Sequence, residues 1–211
     1  MTSLVITGTD TGIGKTVVAA GLTQALGATY WKPVQSGLEE ETDTEVVARL
    51  TGQPVLPEAY RLTRPASPHL SAEAEGVEID PTRLVLPQGN GVFVVEGAGG
   101  LLVPLNRQML YLDLFARWRA PTVLCARTAL GTINHSLLSL RALREARVPV
   151  VGIVFVGDPD PEVEATICNF GAVTHLGRMP FMETITSDVL ASTVASTLDL
   201  DRIRQPLEQM P

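Results

Sequence analysis

The sequence predicts an α/β fold, a single domain over residues 1–211 with a mostly parallel sheet and helices on both of its faces. Three observations carry this. Strand-length apolar runs alternate with segments of helical period along the chain, the pattern of strand–helix–strand crossovers. Several runs, such as Val92-Phe93-Val94-Val95, are apolar at every position, as strands covered on both faces are. The first run, Leu4-Val5-Ile6, leads through a glycine-rich loop into an Ala-rich helix over 17–26. The 211 residues suffice for one substantial core.

That loop reads Gly8-Thr9-Asp10-Thr11-Gly12-Ile13-Gly14-Lys15-Thr16. A glycine loop between strand and helix turns successive backbone N–H groups inward and adds the positive end of the helix, which makes a cradle for phosphate. In such a P-loop, Lys15 reaches the outer phosphates and the Thr16 hydroxyl ligates the accompanying magnesium. Gly12, Ile13, Gly14 and Val17 complete the nucleotide-binding set. The loop is a variant, because Thr9 stands where the pattern has a glycine, with Gly8 one step further out. The expectation is a single-domain P-loop fold that takes ATP or a similar triphosphate with Mg2+.

Residues 28–31 read as a second strand. It runs into Lys32-Pro33-Val34-Gln35-Ser36-Gly37, which Pro33 and Gly37 mark as a loop at a strand end. Ligands of open parallel sheets bind at the carboxyl ends of strands, so Lys32 and Ser36 fall on the edge that carries the phosphate loop. Thr42 and Glu45 then make a capping box at a helix start. Asp43, in the first turn, has two readings: an acid that merely suits a helix N-terminus, or a magnesium ligand facing the phosphates. Residues 52–89 are Pro-rich and aperiodic, with 60–70 read as a loop and 80–86 as a short helix capped by Asp80 and opened by Pro81. So irregular a stretch inside a compact domain is usually functional.

Residues 91–100 form a buried strand that ends in Glu96 and a glycine turn. P-loop enzymes place an acid at the end of a strand neighbouring the first, to position the metal. Gly97, Gly99 and Gly100 let backbone approach a ligand closely. Next come a helix over 110–118, a strand over 122–126, and a helix opened by Gly131-Thr132-Ile133-Asn134-His135 with Thr132 as its cap. A strand over 148–156, a weak helix over 163–170, a last strand over 174–178 and helices over 187–196 and 200–209 complete the chain.

The net charge is −7, which argues against nucleic acid and anionic membrane as partners, and no apolar run reaches the length of a membrane span. Cys125 and Cys168 form no CxxC and no disulfide framework. With no basic-then-apolar leader at the start, the expected setting is reduced and cytoplasmic. The three histidines, His69, His135 and His175, lack metal-ligand spacing. Of the 16 Lys and Arg, only Lys15 and Lys32 are lysine. Where arginine fills the ordinary cation positions, a retained lysine points to work that needs a compact ammonium on a flexible stem, not a planar fork. Lys15 has such work in the loop, and Lys32 becomes a candidate for the chemistry.

Five motifs occur in order: the loop ending Gly14-Lys15-Thr16, Lys32-Pro33-Val34-Gln35-Ser36-Gly37, Ser67-Pro68-His69, Val95-Glu96-Gly97-Ala98-Gly99-Gly100 and Gly131-Thr132-Ile133-Asn134-His135. Together they resemble the dethiobiotin synthetase family over residues 1 to about 155, and the last quarter resembles it poorly. The resemblance implies an ATP-dependent reaction. One amine of 7,8-diaminopelargonate captures CO2, or bicarbonate as its source, as a carbamate. ATP phosphorylates the carbamate, and the second amine closes a cyclic urea. It further implies a homodimer with a shared active site. Catalytic roles fall to Lys32, Lys15 and Thr11, substrate contacts to Ser36, Gly99 and Asn134, the last reaching the partner's site. Thr16, Asp43 and Glu96 would hold the metal, and Gly97, Ala98 and Gly99 would line the nucleotide.

The chain departs from the pattern after the strand Gly152-Ile153-Val154-Phe155-Val156, where some members carry an adenine-reading Asn and this sequence has Val156-Gly157. Base contacts are left to backbone around Met179, Pro180 and Phe181. The alternatives on the same scaffold are a partition-type ATPase switch and a cobyrinate-type amidoligase. The first carries a second loop lysine where this chain has Asp10. The second needs a glutamine-hydrolysing partner or domain, and the chain has no room for a second domain.

Overall fold

The computed structural model describes residues 2–208. Along them run β1 (Thr2–Gly8), α1 (Lys15–Leu26), β2 (Thr29–Trp31), β3 (Val34–Ser36), α2 (Asp43–Thr51), β4 (Val55–Leu56), β5 (Tyr60–Leu62), α3 (Pro68–Ala74), β6 (Val92–Gly100), α4 (Tyr111–Trp118), β7 (Thr122–Arg127), α5 (Thr132–Glu145), β8 (Val150–Val156), α6 (Pro161–Gly171), β9 (His175–Met179), α7 (Ser187–Thr197) and α8 (Leu200–Glu208). Seven strands form one sheet in the order β4-β2-β6-β1-β7-β8-β9, and every neighbouring pair is parallel. β1 lies between β6 and β7, so the loop that leaves its carboxyl end is flanked by the ends of both neighbours.

Side chains alternate across the strands, as period-2 geometry requires. Leu4, Ile6, Val123, Cys125, Val154 and Val156 face a core shared with α1, α7 and α8. Val5, Val95, Leu124, Ala126, Ile153 and Phe155 face the opposite side, where α4, α5 and α6 cover them. Each fully buried Val, Leu or Phe contributes roughly 1.5–3 kcal/mol, so both layers are needed. α7 packs on α1 and α8 on β1, β8 and β9, and the Thr2 hydroxyl donates to the Leu207 carbonyl at 3.1 Å. No described helix is long and apolar enough to cross a membrane.

Several local expectations differ from the structure. Residues 32–37 are not all loop: β3 pairs in parallel with β5 as a separate two-stranded sheet. The stretch 60–70, expected irregular, contains β5 and the start of α3. Three-residue strands show no period, and each exists because the other does. The helix expected over 80–86 is a single 3-10 turn at Pro81–Arg83, with Asp80 capping Thr82 N–H. β6 does not stop at Glu96 but continues through the glycines to Gly100, beside Gly8. Thr132 does not cap α5. Gly131, in left-handed conformation, holds the N-cap position, and Thr132 is buried, 3.5 Å from the Ser136 hydroxyl.

Candidate active site

The carboxyl ends of β1, β2 and β6 open into a cleft of about 490 Å³, lined by Thr11, Gly12, Gly14, Lys15, Thr16, Lys32, Gln35, Ser36, Asp43, Glu96, Ala98, Gly99 and Val103, with residues 65–68 as its far wall. Gly14 is the N-cap of α1 with φ of 90°, a left-handed conformation that L side chains avoid. A Cβ there would also lie 2.8 Å from Val156. The buried Lys15 ammonium donates to the Asp10 carbonyl at 2.6 Å, so its stem spans the loop. Burial holds its pKa below the ordinary 10.5, although Glu96 opposes the shift.

Beside the loop stands a cluster of charges. The Thr16 hydroxyl lies 2.9 Å from Asp43 Oδ1 and 3.1 Å from Glu96 Oε1. Lys32 is 5% exposed; its ammonium is ion-paired with Asp43 Oδ2 and lies 3.2 Å from Glu96 Oε1. The Tyr30 hydroxyl donates to Glu96 Oε2 at 2.8 Å. Burial disfavours the charged form of Lys32, but the Glu96 and Asp43 carboxylates outweigh it and hold the ammonium above its ordinary range. Burial likewise opposes ionised Asp43, yet Lys32 and the Thr16 hydroxyl bring its pKa below 3.8. Removing Lys32 would strand the buried Glu96 carboxylate without its cation, whereas Asp43, 29% exposed, keeps some access to solvent. Deeper still, burial pushes the Cys125 thiol up to about 12, which makes it inert.

Thr16 Oγ1, Asp43 Oδ1 and Glu96 Oε1 converge as hard oxygen donors, the set that suits magnesium. Among the described residues no group of three or more His, Cys, Asp or Glu is assembled to hold a metal. A magnesium that arrives with a triphosphate needs only one or two carboxylates, because phosphate and water fill the other positions. The capping box at Thr42 is also present. Asp43 is therefore the first residue of a capped helix and also an acid within reach of the loop's Thr16 hydroxyl.

Not every candidate residue reaches this cleft. Ile13 is buried in the α1-side core and Val17 packs against it, so each has only its backbone N–H to offer phosphate. Gly97 is outside the cleft lining, and a Cβ there would lie 2.8 Å from the Phe115 ring, so packing alone requires the glycine and only its backbone is left for a ligand. Asn134 is exposed in the first turn of α5, outside the cleft. Pro180 and the 75%-exposed Phe181 lie past the end of β9, with the Phe181 ring beside Gly157. A second groove, lined by Thr9, Asp10, Thr11, Leu101, Leu102, Val103, His135, Leu138, Ser139 and Ala142, shares Thr11 and Val103 with the first. Gln35, Tyr30 and the wall at 65–68 were given no role by sequence reading. The irregular 52–89 stretch and the Ser67-Pro68-His69 motif point to this wall, but which residues face the cleft depends on tertiary placement.

A strand, a glycine loop capped by a lysine, and an acid on the neighbouring strand define a P-loop, ATP-binding protein of the parallel α/β class. A family model described as an AAA domain matches residues 2–189. ATP-dependent dethiobiotin synthetase of Rhodopseudomonas palustris is 58% identical over 94% of both chains. Those of Agrobacterium fabrum and Sphingopyxis alaskensis are 60% and 56% identical, over 93% and 97% of this chain and 94% and 100% of theirs. The chain belongs to the ATP-dependent dethiobiotin synthetase family. Among solved structures, a ParA family ATPase from Chlorobium tepidum (TM-score 0.57, 11% identity, 99% of this chain and 93% of that one) shares the fold. So does the MinC:MinD cell division complex of Aquifex aeolicus (TM-score 0.59, 10% identity, 100% and 97%). At such identity the likeness carries architecture alone, and the partition-type alternative gains nothing from it; nor do the relatives favour the amidoligase.

Proposed function

We propose that this chain, as one catalytic domain, makes dethiobiotin. It converts 7,8-diaminopelargonate, CO2 and ATP into the cyclic urea with release of ADP and phosphate. The observation that carries the reading is that Lys32, the one lysine outside the phosphate loop, stands in the same cleft as Lys15, against the two acids beside it. A carbamate anion and a triphosphate repel each other, and positioned cations offset that repulsion as charge moves to the leaving group.

Lys15 holds the outer phosphates, with the N–H groups of Gly12, Ile13, Gly14, Thr16 and Val17 around them. Lys32 receives the carbamate. Thr11, Ser36 and Gly99 position the diamine, and the buried Ser36 hydroxyl, which has no partner among the described residues, supports this. Thr16, Asp43 and Glu96 would hold magnesium, which when bound supplies positive charge at the transferring phosphoryl group. Gly97 and Ala98 border the nucleotide, and backbone at Pro180 and Phe181 borders its base. The second groove, whose rim carries the exposed side chains of Leu102 and Leu138, suits a second copy of the chain. Asn134 on α5 would then serve the partner's substrate carboxylate. A cytoplasmic place, with no membrane or nucleic-acid partner, accords with this chemistry.

The test is incubation with diaminopelargonate, bicarbonate, magnesium and ATP, with mass spectrometry for the cyclic urea and a parallel assay for ADP and phosphate. Formation of the urea in step with ADP supports the reading; ATP hydrolysis without it overturns the reading.

A further inference from the structure

Glu96 is 1% exposed, and its two carboxylate oxygens live in different surroundings. Oε1 faces the cleft, 3.1 Å from the Thr16 hydroxyl and 3.2 Å from the Lys32 ammonium. Oε2 points away from it, and among the described residues its one hydrogen-bond donor is the Tyr30 hydroxyl at 2.8 Å. Tyr30 is wholly buried on β2, packed in the core that holds Leu4, Val18, Val47 and Leu50. β2 runs beside β6, pairing Tyr30 with Val94, so the phenol reaches Glu96 from the adjacent strand. An aromatic on an inner strand reads as plain core, and nothing in the sequence pattern singles it out.

We propose that Tyr30 is a positioning residue: its phenol ties down Glu96 Oε2 and so reserves Oε1 alone for the cations of the cleft. A buried carboxylate with one oxygen unpaired turns toward whatever donor is near. Without the phenol, that donor is Lys32, and both oxygens would be drawn to the ammonium. Groups that orient a metal-facing carboxylate commonly govern metal affinity or activity by tenfold or more without touching the metal. The proposal rests on the reading of Glu96 as an acid that faces magnesium–nucleotide.

The test is Tyr30→Phe, which keeps the ring and its packing and removes only the hydroxyl. Calorimetry would give the dissociation constant of ADP in EDTA and in saturating magnesium, and their ratio is the gain that the metal provides. We expect ADP binding in EDTA to stay within about twofold of wild type and the metal-dependent gain to fall about tenfold. In a Glu96→Gln background the same Tyr30 change should have no further effect on the gain, since Tyr30 acts through Glu96. An unchanged gain overturns the proposal. So does equal weakening with and without metal, or failure of Tyr30→Phe to fold, because either makes the role structural. Absence of any metal-dependent gain in the wild type would instead strike at the reading of Glu96 itself.

Discussion

Lys32 is ion-paired with Asp43, eleven residues further on, across the gap between the end of β2 and the first turn of α2. The ammonium thereby sits against one of the acids that are proposed to face magnesium. Its position is compact, enclosed and shared with Glu96, with room for an ammonium but not for a larger planar cation.

Lys32→Arg should fail despite keeping the charge. The guanidinium fork is larger than the ammonium and would pair two-pronged with Asp43, which holds it on the acid and away from a carbamate. Turnover should fall about a hundredfold or more, while ADP binding survives. Steady-state rates within a few-fold of wild type would show that the site does not require a lysine here.

The Lys15 ammonium is held below its ordinary pKa by burial, and bound phosphates would restore the charged form. Affinity is therefore greatest where free Lys15 is already protonated, and it declines as pH rises through the lowered value. Nucleotide binding should therefore take up protons in the alkaline range below 10.5. Calorimetry of magnesium–ADP in two buffers of different ionisation heat measures the uptake. No uptake anywhere between neutrality and that value would remove Lys15 from the phosphate contact.

Asn134 and Lys15 should complement each other between subunits. Lys15→Ala removes a cation at the transferring phosphoryl group and should abolish turnover; Asn134→Ala should cripple substrate placement. If Asn134 serves the neighbouring chain, a mixed dimer has one site with both residues intact. Partial activity should return after subunit exchange. Proven exchange with no recovery would count against the shared site.

Discrimination among nucleoside triphosphates should be weak. Val156 has no side-chain polar atom to leave unpaired by a wrong base, and its carbonyl already accepts from Thr128 N–H at 3.1 Å. A missing side-chain contact removes about 1–3 kcal/mol of selectivity. Catalytic efficiencies with ATP, GTP and CTP decide this. A preference for ATP above about a hundredfold, nearly 3 kcal/mol, would mean that another group reads the base.

Much of this was legible because it is local or ordered along the chain. Gly14-Lys15-Thr16 between a strand and a helix announces its own geometry, and Glu96 at the end of an apolar run matches the acid that P-loop enzymes carry on the strand beside the first. The scarcity of lysine marks Lys32 as a site residue without reference to any contact. What stayed illegible depends on partners distant in sequence. β3 and β5 are strands only because they pair. Gly97 answers to Phe115, and Tyr30 answers to Glu96, sixty-six residues away. Nothing in the local sequence of one member of such a pair names the other.

The contact between Thr2 and Leu207 brings the two ends of the described chain side by side. The order in which the elements are strung is therefore separable from the arrangement they reach. A short linker joining the ends, with a new opening cut between the exposed Asn90 and Gly91, would begin the chain at β6 and finish it just before. Every strand would keep its neighbours, and Lys15, Lys32, Asp43 and Glu96 would meet as they do now. In such a permuted chain the phosphate loop would lie in the interior of the sequence, synthesised after the strand that carries its acid.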